Sequence, residues 1–84
     1  MNFQIDKGKY FLSLEKGDLI NDTFKLFAEN NNIGSAWLNG IGALEDPEIG
    51  YYSLESKSYQ KEKFHGNYEL TSLSGNITLK DGKY

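Results

Sequence analysis

His65 is the only histidine of the chain and the residue best suited to acid–base chemistry. It lies three residues after Glu62 and four before Glu69, and a histidine beside a carboxylate can act as a general base. His65 also precedes Gly66 in a predicted turn, where solvated histidines are ordinary, and its spacing places no second catalytic group. The sequence therefore predicts no catalytic residue, and an enzymatic role is left open.

Two further patterns are similar to catalytic or phosphate-binding motifs but lack their structural setting. Ser72 and Ser74 do not follow the strand–turn–helix pattern of a nucleophile elbow, so local hydrogen bonds within a strand are expected. Gly40-Ile41-Gly42 lacks the third glycine and the following helix of a phosphate-binding loop. These glycines indicate a bulge, or the close approach of another backbone.

Oxygen ligands for a hard cation are present at Glu45, Asp46 and Glu48. These acids flank Pro47 in a turn and are expected to be solvated. The chain has no cysteine and one histidine, which excludes thiolate sites and multi-histidine metal sites within one chain. The sequence thus predicts no metal and no cofactor.

An aromatic platform for single-stranded nucleic acid is the next alternative. Its stacking residues would be Trp37, Tyr51, Tyr52, Tyr59 and Tyr68. The net charge is −3 and every basic residue is a lysine, whereas the commonest specific base contact uses arginine. We therefore interpret the aromatics as filling for the core and for interfaces, where they are enriched.

The length of 84 residues allows one domain, taken as residues 1–84, with a thin core. The first residues lack the pattern of a signal peptide, and no apolar run approaches the roughly 20 residues of a membrane span. The sequence predicts a soluble, cytoplasmic protein.

One helix is predicted at about residues 18–31, after a first strand at Tyr10–Leu14. Its N-cap is expected at Asp18, and Asn30–Asn32 with Gly34 should end it. One helical face carries the apolar residues Ile20, Phe24, Phe27 and Ala28. The sequence therefore predicts that this stripe covers one face of a sheet.

The remaining residues read as strands, at 35–41, 49–54, 59–64 and 68 to about 79. In Ser35–Ile41, apolar residues occur at both even and odd positions, as in a strand covered on both faces. In the last strand, Leu70 is on an even position but Leu73 is on an odd one, which predicts a bulge near Thr71-Ser72 or two buried faces. Lys80-Asp81-Gly82-Lys83 predicts a hairpin turn.

These motifs together resemble the plants-and-prokaryotes conserved (PPC) domain over residues 10–82. The Glu-x-Gly turn of that family is matched by Glu15–Gly17, and its strand into Gly-Ile-Gly-Ala by Trp37–Ala43. Its Gly-Tyr-Tyr strand is matched at residues 50–52, its lysine-and-tyrosine hairpin at Lys57–Tyr59, and its Glu-Leu-x-Ser-Leu-x-Gly-Asn strand at Glu69–Asn76.

The resemblance implies an α+β fold with a mainly antiparallel sheet and, for prokaryotic members, a homotrimer. In plant relatives the stretch equivalent to residues 66–72 recruits partner proteins, but its arginine is Asn67 here. The AT-hook of those relatives is absent. The chain also ends before the histidine-bearing strands of the family, so we interpret it as truncated at its C-terminus relative to that pattern.

We therefore expect a non-catalytic homotrimeric domain of a regulatory protein that acts by protein interaction. Trp37, Leu38, Ile41, Tyr51 and Leu73 are predicted as core or interface. The predicted interface residues are Trp37, Asn39, Gly40, Gly42, Tyr68, Glu69, Ser72, Gly75 and Asn76. The alternatives are a DNA-associated regulator, and a metal- or ligand-binding protein if further histidine strands exist.

Overall fold

The computed structural model describes residues 1–84 and shows an α+β fold, as predicted. Six strands and one helix follow in the order β1 Asn2–Asp6, β2 Lys9–Ser13, α1 Ile20–Asn30, β3 Ser35–Glu45, β4 Glu48–Ser53, β5 Ser58–Lys63 and β6 Asn67–Thr78. The strands pair as β1–β2, β3–β6 and β4–β5. The chain forms two compact units, residues Met1–Trp37 with Asn76–Tyr84, and residues Leu38–Gly75.

The first unit begins with a hairpin whose first strand, β1, is not among the strands predicted from the sequence. Lys7 and Gly8 have φ of 49° and 78°, the pair of left-handed residues that a tight type I′ turn requires. The turn sets an antiparallel register in which Phe3 lies opposite Leu12 and Ile5 opposite Tyr10. The predicted strand at Tyr10–Leu14 is therefore the second arm of this hairpin, shifted by one residue.

Helix α1 buries the predicted apolar stripe. Phe27 and Ala28 are the two buried hydrophobic residues of the chain, at 4% and 0% exposure, and Ile20 and Phe24 are half-buried. The Phe27 ring meets Phe3 and Tyr10 edge to face, with centroids 5.0 and 5.4 Å apart. Because aromatic rings prefer this geometry, Phe27 fixes the helix on the β1–β2 hairpin.

The predicted N-cap at Asp18 is wrong, because that carboxylate is used by the preceding turn. Leu19 is the N-cap residue, and no side chain caps the helix. The Asp18 carboxylate instead accepts a hydrogen bond from the Glu15 backbone N–H at 2.9 Å and lies 3.5 Å from the Met1 ammonium. The Glu15 hydrogen bond lowers the pKa of Asp18 from its ordinary 3.8, because it stabilises the ionised form.

The end of the helix is tied down where the sequence predicts it. The Asn31 side chain donates to the Phe27 carbonyl oxygen at 2.9 Å, and the Ile33 N–H donates to the Ala28 carbonyl oxygen at 2.9 Å. The Tyr84 hydroxyl donates to the same Ala28 oxygen at 3.1 Å. Carbonyl groups that a helix end leaves without intrahelical partners are thereby satisfied.

The predicted turn at Lys80–Lys83 is confirmed. Asp81 and Gly82 have φ of 52° and 76°, and Lys80 and Lys83 exchange two backbone hydrogen bonds of 2.8 and 3.0 Å. The Leu79 N–H donates to the Gly34 carbonyl oxygen at 3.0 Å. These bonds hold the C-terminal residues within the first unit.

No helix of the structure is long enough and apolar enough to cross a membrane.

Replacing Phe27 with alanine should remove the centre of the first unit. We expect a loss of about 3 kcal/mol in the free energy of unfolding, because a buried aromatic side chain is deleted. Urea denaturation followed by circular dichroism measures this loss. Leu26→Ala is the matched control, since Leu26 on the same helix is 58% exposed and should change stability little. Equal losses in the two variants would contradict this packing.

The Asp18 carboxylate should stabilise the fold only while it is ionised. A carboxyl whose folded pKa is lowered adds stability above its unfolded pKa, and that stability is lost as the pH falls through the folded value. Asp18→Ala should therefore destabilise the chain near pH 7 and differ little from the unchanged protein at about pH 2. Denaturation at both pH values tests this, and the same loss at each would show that charge is not involved.

Candidate interaction surface

The second unit is a long ribbon of two antiparallel strands. The outgoing strand is β3 followed, through Asp46 and Pro47, by β4. The returning strand is β5 followed, through residues 64–66, by β6. We call the paired parts of β3 and β6 in this unit the ladder, and residues 48–63 the arm. The five residues between them, Asp46, Pro47, Phe64, His65 and Gly66, form the joint.

The ladder contains the bulge that the phase change predicts. Gly40 lies beside Leu73, and farther along the Asp46 N–H donates to the Gly66 carbonyl oxygen at 2.9 Å. Gly40 and Asp46 are six residues apart, whereas Leu73 and Gly66 are seven apart. The returning strand therefore contains one extra residue between these two contacts, which is a bulge in β6. The burial pattern agrees, since Leu70, Leu73 and Gly75 are half-buried. Within this chain the second face of β6 is exposed, so two buried faces would require cover from another copy.

His65 is the extra residue of a second bulge. The Phe64 N–H donates to the Pro47 carbonyl oxygen at 2.9 Å, so one step from Asp46 to Pro47 matches two from Gly66 to Phe64. The His65 carbonyl oxygen accepts a hydrogen bond from the Tyr68 hydroxyl at 3.0 Å. Its imidazole has no hydrogen bond to a carboxylate, so the structure gives this residue a backbone role.

Three predicted interface residues share one exposed face of the ladder. On β3 the exposed side carries Asn39, Ile41 and Ala43, with Ile41 at 83% exposure. The register with the bulge places Glu69 opposite Ala43, and Ser72 on the same side beyond the bulge. We call Asn39, Ile41, Ala43, Glu69 and Ser72 the outer face.

The other predicted interface residues lie elsewhere. Gly40, Gly75 and Tyr68 lie on the opposite side of the ladder. Gly42 has an even position like Gly40, but it is exposed. Trp37 is 75% exposed in the first unit, where the Asn76 amide also lies and donates to the Thr78 hydroxyl at 2.9 Å. The interface residues predicted from the sequence motifs therefore lie on both sides of the strands.

Leucine side chains explain two of the glycines. A Cβ at Gly40 would lie 3.7 Å from Leu73 Cδ2, and one at Gly75 would lie 3.5 Å from Leu38 Cδ1. Both are ordinary van der Waals distances, and no backbone atom of another strand lies within 4 Å of either Cβ position. The half-buried Leu38 and Leu73 therefore fill the space beside these glycines.

The arm exposes every residue except Ser53, which is half-buried. Tyr52 and Tyr59 lie opposite each other, with ring centroids 5.2 Å apart. Tyr51 is 67% exposed on the other face. The prediction of Trp37, Ile41 and Tyr51 as core residues is therefore wrong within this chain, because nothing in it covers them, whereas their place in an interface stays a prediction.

Acidic residues near the joint are engaged with protein groups. The Gly66 N–H donates to Asp46 Oδ1 at 2.8 Å, and Lys61 Nζ lies 3.6 Å from Glu48 Oε1. No group of three or more acidic or histidine side chains converges on a point where a metal ion could bind.

A shallow open groove crosses the ladder near the β6 bulge, lined by Ile41, Gly42, Ala43, Asn67, Tyr68, Glu69 and Leu70.

Comparison with known proteins gives one family. Residues 3–84 match the model of the Plants and Prokaryotes Conserved (PCC) domain. The chain is similar to the crystal structure of a plant- and prokaryote-conserved protein from Pyrococcus horikoshii, with 41% identity and a TM-score of 0.78. That match covers 83% of this chain and 49% of the other, so this chain spans about half of that protein's length. A search of curated proteins gave no significant match.

Gly50 should be required for the arm to form. A Cβ there would lie 2.6 Å from the Gln60 carbonyl oxygen and 3.1 Å from Lys61 Cγ. Gly50→Ala should therefore cost about 1–3 kcal/mol and speed amide exchange in the arm. Gly34→Ala is the control, because a Cβ at Gly34 meets no atom within 4 Å. Unchanged arm exchange in Gly50→Ala would refute this expectation.

Proposed function

Because the chain belongs to the Plants and Prokaryotes Conserved domain family, we propose that it is a non-catalytic assembly and interaction domain of a regulatory protein. Its outer face and arm would bind further copies of the chain. A homotrimer is the assembly that the sequence resemblance implies. The observation that carries this proposal is the exposure of Ile41 on the outer face and of Ile49, Tyr51 and Leu54 on the arm.

The amount of exposed surface supports association. The chain has an accessible surface of 7290 Å² at a mass of 9.5 kDa. Folded monomers of that mass expose about 5,000 Å². The excess of roughly 2,000 Å² is more than twice the roughly 800 Å² that one partner contributes to a standard protein–protein interface.

The arm gives a second, local reason for association. An isolated two-stranded hairpin is marginally stable in water, because it cannot bury its own side chains. The arm nevertheless carries Ile49, Tyr51 and Leu54 at 59%, 67% and 83% exposure. Packing these side chains against another surface would stabilise both the arm and the contact.

Charge on the arm does not favour the nucleic-acid alternative. Its lysines, Lys57, Lys61 and Lys63, are matched by the same number of glutamates, Glu48, Glu55 and Glu62. A surface that neutralises phosphates needs an excess of positive charge. Assembly therefore remains the function that the described surfaces support best.

Sedimentation over a range of protein concentrations tests the proposal. We expect the unchanged chain to sediment at about three times its monomer mass. Ile41→Lys should weaken association by roughly tenfold or more, because it places a charge in the centre of the outer face. Leu26→Lys is the matched control, since this exposed leucine lies on helix α1, which belongs to the other unit.

Two results would contradict the proposal. One is a folded monomer at all concentrations. The other is an equal effect of Ile41→Lys and Leu26→Lys, which would show that the outer face has no special part in association.

A further inference from the structure

The joint is bonded differently from the regular strands on either side of it. The Asp46 N–H donates to the Gly66 carbonyl oxygen at 2.9 Å, and the Phe64 N–H donates to the Pro47 carbonyl oxygen at 2.9 Å. Pro47 has no backbone N–H to contribute, and His65 is the unpaired bulge residue. The regular pairing of the ribbon is therefore interrupted between the ladder and the arm.

Asp46 reinforces the joint with its side chain. Its Oδ1 accepts a hydrogen bond from the Gly66 N–H at 2.8 Å, while its own N–H bonds the Gly66 carbonyl oxygen. One residue on the outgoing strand thus holds both polar backbone groups of one residue on the returning strand. Asp46 has φ of 47°, a left-handed conformation that aspartate tolerates better than most residues.

Beyond the joint, nothing else in the chain restrains the arm by burial. All residues of β4 and β5 are exposed except the half-buried Ser53. The arm itself is regular, with a continuous antiparallel register from Glu48↔Lys63 to Ser53↔Ser58. At the joint, the Tyr68 hydroxyl also bonds the His65 carbonyl oxygen, and the Tyr68 and Phe64 rings lie 6.2 Å apart. A hinge absorbs its motion in a few residues such as these.

We propose that the joint is a hinge and that Asp46 is the positioning residue that latches it. With the Asp46–Gly66 bonds made, the arm has one preferred direction relative to the ladder. When the side-chain bond is lost, the arm samples other directions while its own pairing persists. That this direction prepares the arm to bind a second copy rests on the proposed function, but the latch itself does not.

Spin labels on the arm and on the ladder measure this directly. The chain has no cysteine, so Lys57→Cys at the arm turn and Ser74→Cys on the ladder give two unique labelling sites. Labelled protein is diluted into an excess of unlabelled chain, so that only distances within one chain are recorded. Pulsed electron spin resonance then gives the distribution of the distance between the labels.

We expect one narrow distribution with Asp46 present. Asp46→Ala should raise the population outside the main peak by roughly 3- to 10-fold, the factor expected for one hydrogen bond. Asp46→Asn keeps an acceptor oxygen and should stay near the unchanged protein. Asp81→Ala is the control for backbone strain, because it also places alanine at a left-handed aspartate, with φ of 52°, outside the joint.

The outcomes separate the latch from assembly. An unchanged distribution in Asp46→Ala, or an equal broadening in Asp81→Ala, would overturn the hinge. A broadened distribution supports the hinge whether the protein sediments as a trimer or as a monomer. Amide exchange within the arm should be the same in Asp46→Ala as in the unchanged protein, and faster exchange there would show unfolding of the arm instead of hinge motion.

Discussion

Two strands that pair only with each other can bury very little, and this constraint governs the structure. The β1–β2 hairpin overcomes it because α1 lies against the hairpin and Phe27 meets Phe3 and Tyr10. The ribbon of the second unit has no helix of its own. Its half-buried side is filled by leucines beside glycines, and its outer face and arm remain exposed. The proposed assembly follows from this difference between the two units.

Much of the fold could be predicted from local signals in the sequence. The stripe from Ile20 to Ala28 has helical spacing, and the helix buries that stripe. The Asp81-Gly82 turn is specified by residues that tolerate left-handed backbone. The first strand was missed because Lys7-Gly8 is a less distinctive turn pair. The cap at Asp18 was wrongly predicted because a carboxylate can accept from any nearby N–H, and here it accepts from the N–H of Glu15.

The candidate site was less predictable, because its geometry depends on register. Asn39, Glu69 and Ser72 share a face only because a bulge shifts β6 by one residue. The shift of apolar residues from an even position at Leu70 to an odd one at Leu73 indicated that bulge. No sequence pattern indicated which β3 residue lies opposite it. Apolar residues on both parities were interpreted as two buried faces. In this chain one face is half-buried and the other, with Ile41, is open to solvent, so composition alone could not distinguish the two arrangements.

Both bulges lie on the returning strand, and their effects accumulate. From Gly40 to Ser53 the outgoing strand takes thirteen residue steps, while the returning strand takes fifteen from Ser58 to Leu73. Each bulge takes up its extra residue by bending its strand and by increasing the local right-handed twist. Two such bends on the same strand add together, so the far end of the arm should point in a direction that a regular hairpin of the same length would not reach.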